Sequence, residues 1–212
     1  MTEPGPTGAE NPRPDASTRR RAAALAGHLG DEPAARAALD DPDGDVRATA
    51  LGAIARMGAL LPVDLQAGLA DGDAAVRRRA AEIAATHPDA DLLGVLHDDD
   101  PTVVEVAAWA CGEHERVSVE VLTRLVDLAT GHPDALVREA AVAALGAIGD
   151  QAGRAAILSA CADKPAVRRR AVLALASFDG DEVEDVLQRA LHDRDWQVRQ
   201  AAEDLLGWRA DP

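Results

Sequence analysis

The chain is strongly acidic and rich in apolar side chains. It has 212 residues, of which 47% are hydrophobic, and its formal net charge is −15. Burial of its many Val and Leu side chains, at about 1.5–3 kcal/mol each, can stabilise a core without a metal or a disulfide. No segment approaches the ~18 apolar residues of a membrane span, so we expect no membrane protein and no membrane partner.

The first fifteen residues, MTEPGPTGAENPRPD, differ from the rest in composition. They are rich in Pro, Gly and Glu and lack apolar residues that could form a core. Such a segment cannot bury enough surface to fold, so we predict a disordered tail over residues 1–15. It has no basic start and no apolar run, which argues against a signal peptide.

From residue 16 onward, a pattern of about thirty residues occurs seven times. We call the first apolar site of each copy its anchor and count positions from it. The anchors are spaced by 27 to 34 residues and are Thr18, Val46, Val76, Val103, Val137, Val167 and Val198. We therefore predict one stacked-repeat domain over 16–212, with units that start near residues 16, 44, 74, 101, 135, 165 and 196.

Each copy begins with a pattern typical of a helix, which we call helix A. The anchor and positions +4, +8 and +11 lie on one side of a helix of 3.6 residues per turn. Position −3 is Asp in six copies and Lys164 in the other, and Asp is a good N-cap. Position +4 is always alanine, which suggests a point of close helix–helix approach.

A second, shorter apolar segment follows helix A in the first six copies, and we predict that it forms a helix B. The segments lie at residues 63–65, 92–96, 117–129, 155–158 and 183–191, among others. The seventh copy has no such segment. No stretch has the alternation and β-branched density of a strand, so we predict an all-α fold built of helical hairpins.

The sequence of residues 39–52, LDDPDGDVRATALG, resembles a HEAT-like repeat of the phycobilisome-lyase type. Residues 69–81 and 191–202 match the same L-x-D-x-D-x-x-V-R-x-x-A consensus. The resemblance implies a right-handed α-solenoid (an armadillo-like α–α superhelix) of about seven short hairpins, the last without its second helix. It also implies that the B helices line the concave face. Because this fold serves many tasks, it does not by itself specify a function.

An arginine follows the anchor in every copy except the fourth, which has Val104. A cation in the first turn of a helix is opposed by the helix dipole, so these arginines need nearby carboxylates. We predict a structural ladder between repeats, formed by arginines at +1 and aspartates at −5 of the neighbouring copy. Its members are Arg47, Arg77, Arg138, Arg168 and Arg199 with Asp41, Asp71, Asp98 and Asp193.

The favoured function is a non-enzymatic scaffold that binds a protein or peptide on an acidic concave face. Acidic residues exceed arginines in the B segments, so the partner is expected to be basic. The acidic excess also has a simpler reading, as a device for solubility. Candidate contacts on the B segments are Gln66, Asp91, Glu120, Arg124, Asp127, Arg154, Glu184 and Gln188.

Two alternative functions remain open. The resemblance to the phycobilisome-lyase repeats implies an accessory role in chromophore or cofactor attachment, although no residue marks a bilin site. The arginine triplets at 19–21, 77–79 and 168–170 could bind nucleic acid. However, they form an interrupted stripe, and a chain with one Phe and no Tyr has few side chains on which bases can stack. We therefore expect no nucleic-acid partner.

The sequence contains one group typical of a metal site, Glu113-His114-Glu115. Deoxyhypusine hydroxylase is a HEAT-like enzyme that binds iron through several His-Glu pairs, whereas this chain offers one such pair, which cannot complete a metal shell. The simpler reading is a solvent-facing histidine at a helix C-terminus. We predict no catalytic, metal or cofactor-binding residue, and no enzyme.

The tryptophans and cysteines bear on partners and compartment. Trp109, at +6 of the fourth copy, points away from the core and is either an interaction site or packed on a neighbouring repeat. Trp196 and Trp208 either cover the end of the stack or form a self-association edge, so we expect a monomer or a weak dimer. Cys111 and Cys161 are expected to be reduced and Cys111 buried, which favours the cytoplasm.

Overall fold

The computed structural model describes residues 14–210, and residues 208–210 only by their backbone. Most of the predicted tail at 1–15 and the side chain of Trp208 therefore lie outside the described residues. Within the described part, the chain forms 12 α-helices, short 3-10 turns and no strand. The prediction of an all-α fold is confirmed. Contacts group the chain into two compact units, Met1–Ala59 and Leu60–Pro212.

The first unit contains three α-helices. They are α1 (Ala16–Leu29), α2 (Glu32–Ala37) and α3 (Gly44–Arg56), with a 3-10 turn at Ala38–Asp40 before α3. Helix α1 ends at Gly30, whose φ of 71° is in the left-handed region that glycine tolerates. Ala23, Val46 and Ala50 form the buried cluster that joins α1 to α3, with Leu39 packed against it.

The second unit contains nine α-helices among its described residues. In chain order they are α4 (Pro62–Leu69), α5 (Ala74–Ala84), α6 (Pro101–Gly112), α7 (Val119–Gly131), α8 (Ala135–Ile148), α9 (Arg154–Ala160), α10 (Pro165–Ala174), α11 (Asp181–Ala190) and α12 (Trp196–Ala210). Helices α5, α6, α8, α10 and α12 are A helices, and each packs on the next. Helices α4, α7, α9 and α11 are B helices and, with the turns between them, form what we call the B surface.

The aspartates at −3 cap the A helices, as predicted. The side chains of Asp43 and Asp73 accept bonds from the amides of Val46 and Ala75, and Asp15, Asp100, Asp134 and Asp195 do the same for their helices. Lys164, the exception in the sequence, makes no such bond. Each cap satisfies an amide that the first turn leaves without a partner, so it defines where the helix begins.

The alanines at +4 are buried in every A helix except α1. Ala50, Ala80, Ala107, Ala141, Ala171 and Ala202 have no measurable exposure. In α1 the inward side chains are instead Ala23 and Ala26, and Ala22 is exposed.

A close approach between A helices occurs at position +9, which was not among the positions singled out from the sequence. A Cβ on Gly146 would lie 2.5 Å from the Cβ of Ala174, at +7 of the next A helix. A Cβ on Gly112 would lie 3.0 Å from the Cα of Ala144. Small residues recur at +9, as Gly27, Ala55, Ala85, Gly112, Gly146, Ala176 and Gly207. At Gly112 and Gly146, the absence of a side chain lets consecutive A helices approach closely.

The third repeat lacks the predicted helix B. Residues 92–96 form no α-helix, and only a 3-10 turn at Val95–His97 is present. The amide of Ala90 donates to the carbonyl of His87, and the carboxylate of Asp91 accepts from the amide of Leu93. These turns take the place of a helix because Asp and Pro favour turns, yet Leu92, Val95 and Leu96 remain buried.

Candidate partner-binding surface

Each A helix is preceded by an Asp-containing segment that we call a link. Arginines at +1 join the link before their own helix to the link before the next A helix. Arg77 donates from Nε and Nη2 to the two carboxylate oxygens of Asp98, at 2.6 and 2.9 Å, and from Nη1 to the carbonyl of Asp71 at 2.9 Å. The same two-bond pairing joins Arg19 to Asp41, Arg138 to Asp163 and Arg168 to Asp193. Such bidentate pairs fix the position of both partners.

These pairs are partly withdrawn from water and shift the ionisation of their carboxylates. The hydrogen bond from Arg77 lowers the pKa of Asp98, and those from Arg138 and Arg168 lower the pKa of Asp163 and Asp193. The side chain of Asp98 is 6% exposed. Arg168 as a whole residue is also 6% exposed. The guanidinium groups of these arginines are therefore engaged within the protein, where they hold consecutive repeats together.

Asp163, the partner of Arg138, is not among the predicted members of the ladder. It stands at −4, whereas the prediction considered aspartates at −5, and the sixth copy has Lys164 at −3. Arg47 donates to the carbonyl of Asp41 at 2.8 Å, and Arg199 to that of Asp193 at 2.7 Å. The carboxylate of Asp71 accepts from the amide of Asp73 at 2.8 Å.

Most candidate contacts on the B surface are exposed. Glu120 and Asp127 on α7, Glu184 and Gln188 on α11, and Gln66 and Asp91 all have exposed side chains. Helix α7 packs against α9 and against the 3-10 turn at Val95–His97. Glu184 and Gln188 bond to each other at 3.1 Å along one face of α11. The B surface thus presents polar side chains on a packed helical support.

The two candidate arginines of the B surface have partners within the protein. The Nε of Arg124 donates to the carbonyl of Leu96, in the preceding repeat, at 3.1 Å. An Nη2 of Arg154 lies 3.3 Å from a carboxylate oxygen of Glu182 on α11. On α7, α9 and α11 exposed carboxylates outnumber guanidinium groups, so this part of the B surface is acidic.

A groove opens where the third repeat lacks its helix B. It lies between α4 and residues 86–95, has a volume of about 540 Å³, and we call it the third-repeat groove. Its lining is mainly apolar and includes Leu61, Leu65, Leu69, Pro88 and Val95, with the candidate residues Gln66 and Asp91 among the polar ones. Volumes of this size are typical of ligand sites.

The interpretation of His114 as a solvent-facing residue is wrong. His114 is 7% exposed, and its Nε2 lies 2.9 Å from the carbonyl of Ala84, thirty positions earlier. Because a carbonyl can only accept, the ring donates this bond. Glu113 and Glu115 beside it are exposed. His114 therefore joins α5 to the end of α6, and within residues 14–210 no three His, Cys, Asp or Glu side chains could hold a metal together.

The tryptophans expose much of their surface. Trp109 is 44% exposed and lines a shallow cleft of about 300 Å³ between α6 and α8, with Leu136 and Val106. Trp109 lies beside residues of the next repeat and remains partly accessible, and its role as an interaction site stays a prediction. Trp196 at the start of α12 is 64% exposed, so it covers little of the stack.

The arginine triplets are largely engaged with carboxylates. Their first members are Arg19, Arg77 and Arg168 of the bidentate pairs. Arg79 lies 2.7 Å from Glu82, Arg20 lies 3.6 Å from Asp45, and Arg170 lies 3.7 Å from Glu139. This distribution gives no continuous basic track of the kind that follows a phosphate backbone.

The two cysteines are free. Burial raises the pKa of both the Cys111 and the Cys161 thiols to about 12, which favours the protonated thiol near neutral pH. Over the part of the chain that is described, no helix combines the length and apolar character needed to cross a membrane.

Comparisons with known proteins agree with this architecture. A family model for HEAT repeats matches residues 61–146, 90–166 and 154–212. No curated protein matches the chain in sequence. The X-ray structure of YibA from Escherichia coli is similar over 95% of this chain and 78% of its own, with a TM-score of 0.63 and 20% identity. That likeness concerns the fold alone.

Two further structures have lower TM-scores. A designed armadillo repeat protein aligns over 92% of this chain and 95% of its own, with a TM-score of 0.48 and 17% identity. Human deoxyhypusine hydroxylase in complex with glycerol aligns over 93% and 81%, with a TM-score of 0.48 and 18% identity.

Proposed function

Because the chain belongs to the HEAT repeat family, we propose that it is a non-enzymatic scaffold that binds a protein or peptide on its B surface. Repeat proteins of this kind present extended surfaces built from successive units. The observation that carries the proposal is the set of exposed polar side chains on α7 and α11, held by buried A helices and by arginine–aspartate pairs. No specific observation favours a chromophore-lyase or nucleic-acid role.

We further propose that the partner is basic. The carboxylates of Glu120, Asp127 and Glu184 are exposed, whereas Arg124 and Arg154 are engaged within the protein. A surface of one charge attracts oppositely charged partners and discriminates against others. Trp109 provides an exposed aromatic anchor outside the B surface.

The proposal also covers organisation and compartment. We take residues 16–212 as one repeat domain, and the protein as a monomer or a weak dimer that pairs through the edge bearing exposed Trp196. The two free cysteines support a reducing compartment such as the cytoplasm.

Site-specific photocrosslinking in the native cell tests this function. A photoreactive residue is placed at Asp127 or Glu184 on the B surface, and at Arg78 or Leu173 on the A helices as matched exposed controls. We expect a discrete crosslinked protein from the two B-surface positions and none from the controls. Equal crosslinking at all four positions, or none at any, would count against the proposal.

A further inference from the structure

The third-repeat groove has the form of an anchor site for an extended chain. It is bounded on one side by Leu61, Leu65 and Leu69 of the α4 segment, and on the other by Pro88 and Val95. A second depression, lined by Glu113, Glu115 and Arg116, shares Thr86, Pro88 and Asp89 with the groove. The two depressions are therefore neighbours that share a wall, and an elongated ligand would be needed to occupy both.

The walls of the groove are held in place by internal hydrogen bonds. Asp64 accepts from the amide of Leu61 at 2.9 Å and fixes the start of α4. On the opposite wall, His87 bonds through Nδ1 to the carbonyl of Ile83 at 2.9 Å, and Asp91 accepts from the amide of Leu93 at 2.9 Å. A preformed groove loses little entropy when it is filled, so its apolar area can contribute directly to affinity.

The rim of the groove is acidic. Asp89 and Asp91 line it, and Glu113 and Glu115 continue the same charge along the adjoining depression. All four carboxylates belong to exposed residues, with Arg116 as the one guanidinium among the lining residues of the two depressions. An apolar floor with carboxylates on its rim is complementary to a bulky apolar side chain flanked by Lys or Arg.

We propose that the third-repeat groove binds a basic linear segment of a partner protein, one of whose apolar side chains enters between α4 and residues 88–95. This inference rests on the proposed scaffold function and places its principal anchor at the third repeat. Charge disfavours two other occupants. The segment at residues 1–13 carries two glutamates against one arginine, and a second copy of the chain carries a net charge of −15.

Gly94 provides a direct way to fill the groove. Its backbone, at φ −59° and ψ −48°, is allowed for any residue, and a Cβ there would meet no atom within 4 Å. Gly94→Trp should therefore occupy the groove without disturbing the fold. Gly131→Trp is the matched control, because Gly131 also has open space around its Cβ but does not line the groove.

The experiment begins with selection of short random peptides, displayed on phage, against the full chain. We expect enriched sequences with a bulky apolar residue beside Lys or Arg. Synthetic fluorescein-labelled copies should lose affinity by about tenfold or more with Gly94→Trp and change by less than about twofold with Gly131→Trp. Asp89→Lys with Glu115→Lys should weaken binding by about fivefold or more, against little change for Glu203→Lys at a distant exposed site.

Several outcomes would overturn the groove assignment. The assignment fails if no peptide is enriched, or if the enriched peptides are acidic. It also fails if Gly94→Trp leaves peptide binding unchanged although thermal unfolding shows that this variant is folded. Tighter peptide binding after removal of residues 1–13 would identify that segment as the occupant. A dimer in sedimentation that Gly94→Trp dissociates would identify a second copy.

Binding to the variants distinguishes failure of the groove assignment from failure of the scaffold function on which it rests. If affinity falls with Glu120→Lys and Asp127→Lys but not with Gly94→Trp, the scaffold function stands and the groove assignment fails. If the photocrosslinking above yields no partner while peptides still fill the groove, the function fails although the groove binds peptides.

Discussion

At the scale of single residues, the arginine at +1 has a structural role. It satisfies the backbone carbonyl of its own link and the carboxylate of the next, as Arg168 does with Asp163 and Asp193. The carboxylate in turn accepts from an amide two residues later, as Asp193 does from Asp195. The Arg168–Asp193 pair thereby ties the sixth repeat to the start of the seventh. A partly buried network of this kind is costly to break, because the remaining charge stays desolvated.

Removal of one such carboxylate should destabilise the protein measurably. Asp98→Asn takes away the charge that faces Arg77 and one of its two hydrogen bonds. We expect a loss of about 1.5–3 kcal/mol, the usual range for a hydrogen bond to a charged group, seen as a lower urea midpoint. Glu82→Gln, which alters the exposed pair with Arg79, should cost about 0–1 kcal/mol. Equal effects of the two substitutions would refute a special role for the buried pair.

The same pairs predict how stability depends on pH. The pKa values of Asp98, Asp163 and Asp193 are lowered in the folded protein from an ordinary value of 3.8. The unfolded chain therefore takes up protons first, so the stabilisation is complete above the ordinary value and is lost as pH falls through the lowered values. Urea midpoints between pH 6 and pH 3 should be flat and then fall below about pH 4. The fall should be shallower in Asp98→Asn, and a midpoint that rises on acidification would contradict this.

At the scale of elements, small residues at +9 determine how closely the A helices pack. The sequence analysis assigned close approach to the alanine at +4, which is indeed buried in most copies. Close approach also occurs at +9, where a Cβ added to Gly27, Gly112 or Gly146 would lie 3.0 Å or less from an alanine at +7 of the next A helix. The signal was present in the sequence as a small residue at +9 of every copy. It lies off the +4 and +8 stripe, so a search for apolar periodicity alone does not reveal it.

This packing makes opposite predictions for two helical glycines. Gly146→Ala places a methyl group 2.5 Å from the Cβ of Ala174, so overpacking should cost about 1–3 kcal/mol despite the better helix propensity of alanine. Gly207→Ala, where a Cβ meets nothing within 4 Å, should stabilise by up to about 1 kcal/mol. Thermal unfolding of both variants is the measurement. An unchanged or raised midpoint for Gly146→Ala would show that the helices can separate without cost.

Some elements could be predicted from the sequence and others could not, for physical reasons. The caps and helix starts depend on local hydrogen bonds, so a motif of a few residues is enough to place them. The third repeat departs from a hairpin because Pro88, Asp89 and Asp91 favour turns, although its apolar residues imitate a helix. Burial of His114 depends on Ala84 in another repeat, which no local pattern reports. The groove is likewise a product of packing between segments and could not be predicted from either one.

At the scale of the whole molecule, different classes of residue form the core, connect the repeats and cover the surface. Apolar and small residues of both the A and the B helices form the core, and arginines stabilise the connections between repeats. Exposed acidic residues such as Glu120, Asp127 and Glu184 lie on the B helices, and others lie in the connecting segments and on A helices. This division leaves the B surface free to vary in charge without loss of the fold, which is how one architecture comes to serve many partners.

The most direct test of the account is the salt dependence of binding to the partner recovered by photocrosslinking. The dissociation constant is measured by calorimetry at low and high salt for the wild type, for Glu120→Lys with Asp127→Lys, and for Arg78→Glu on an A helix. We predict that the B-surface variant binds about tenfold more weakly and loses most of the salt dependence, whereas Arg78→Glu changes little. Binding that is independent of salt, unaffected on the B surface and abolished by Arg78→Glu would contradict the account.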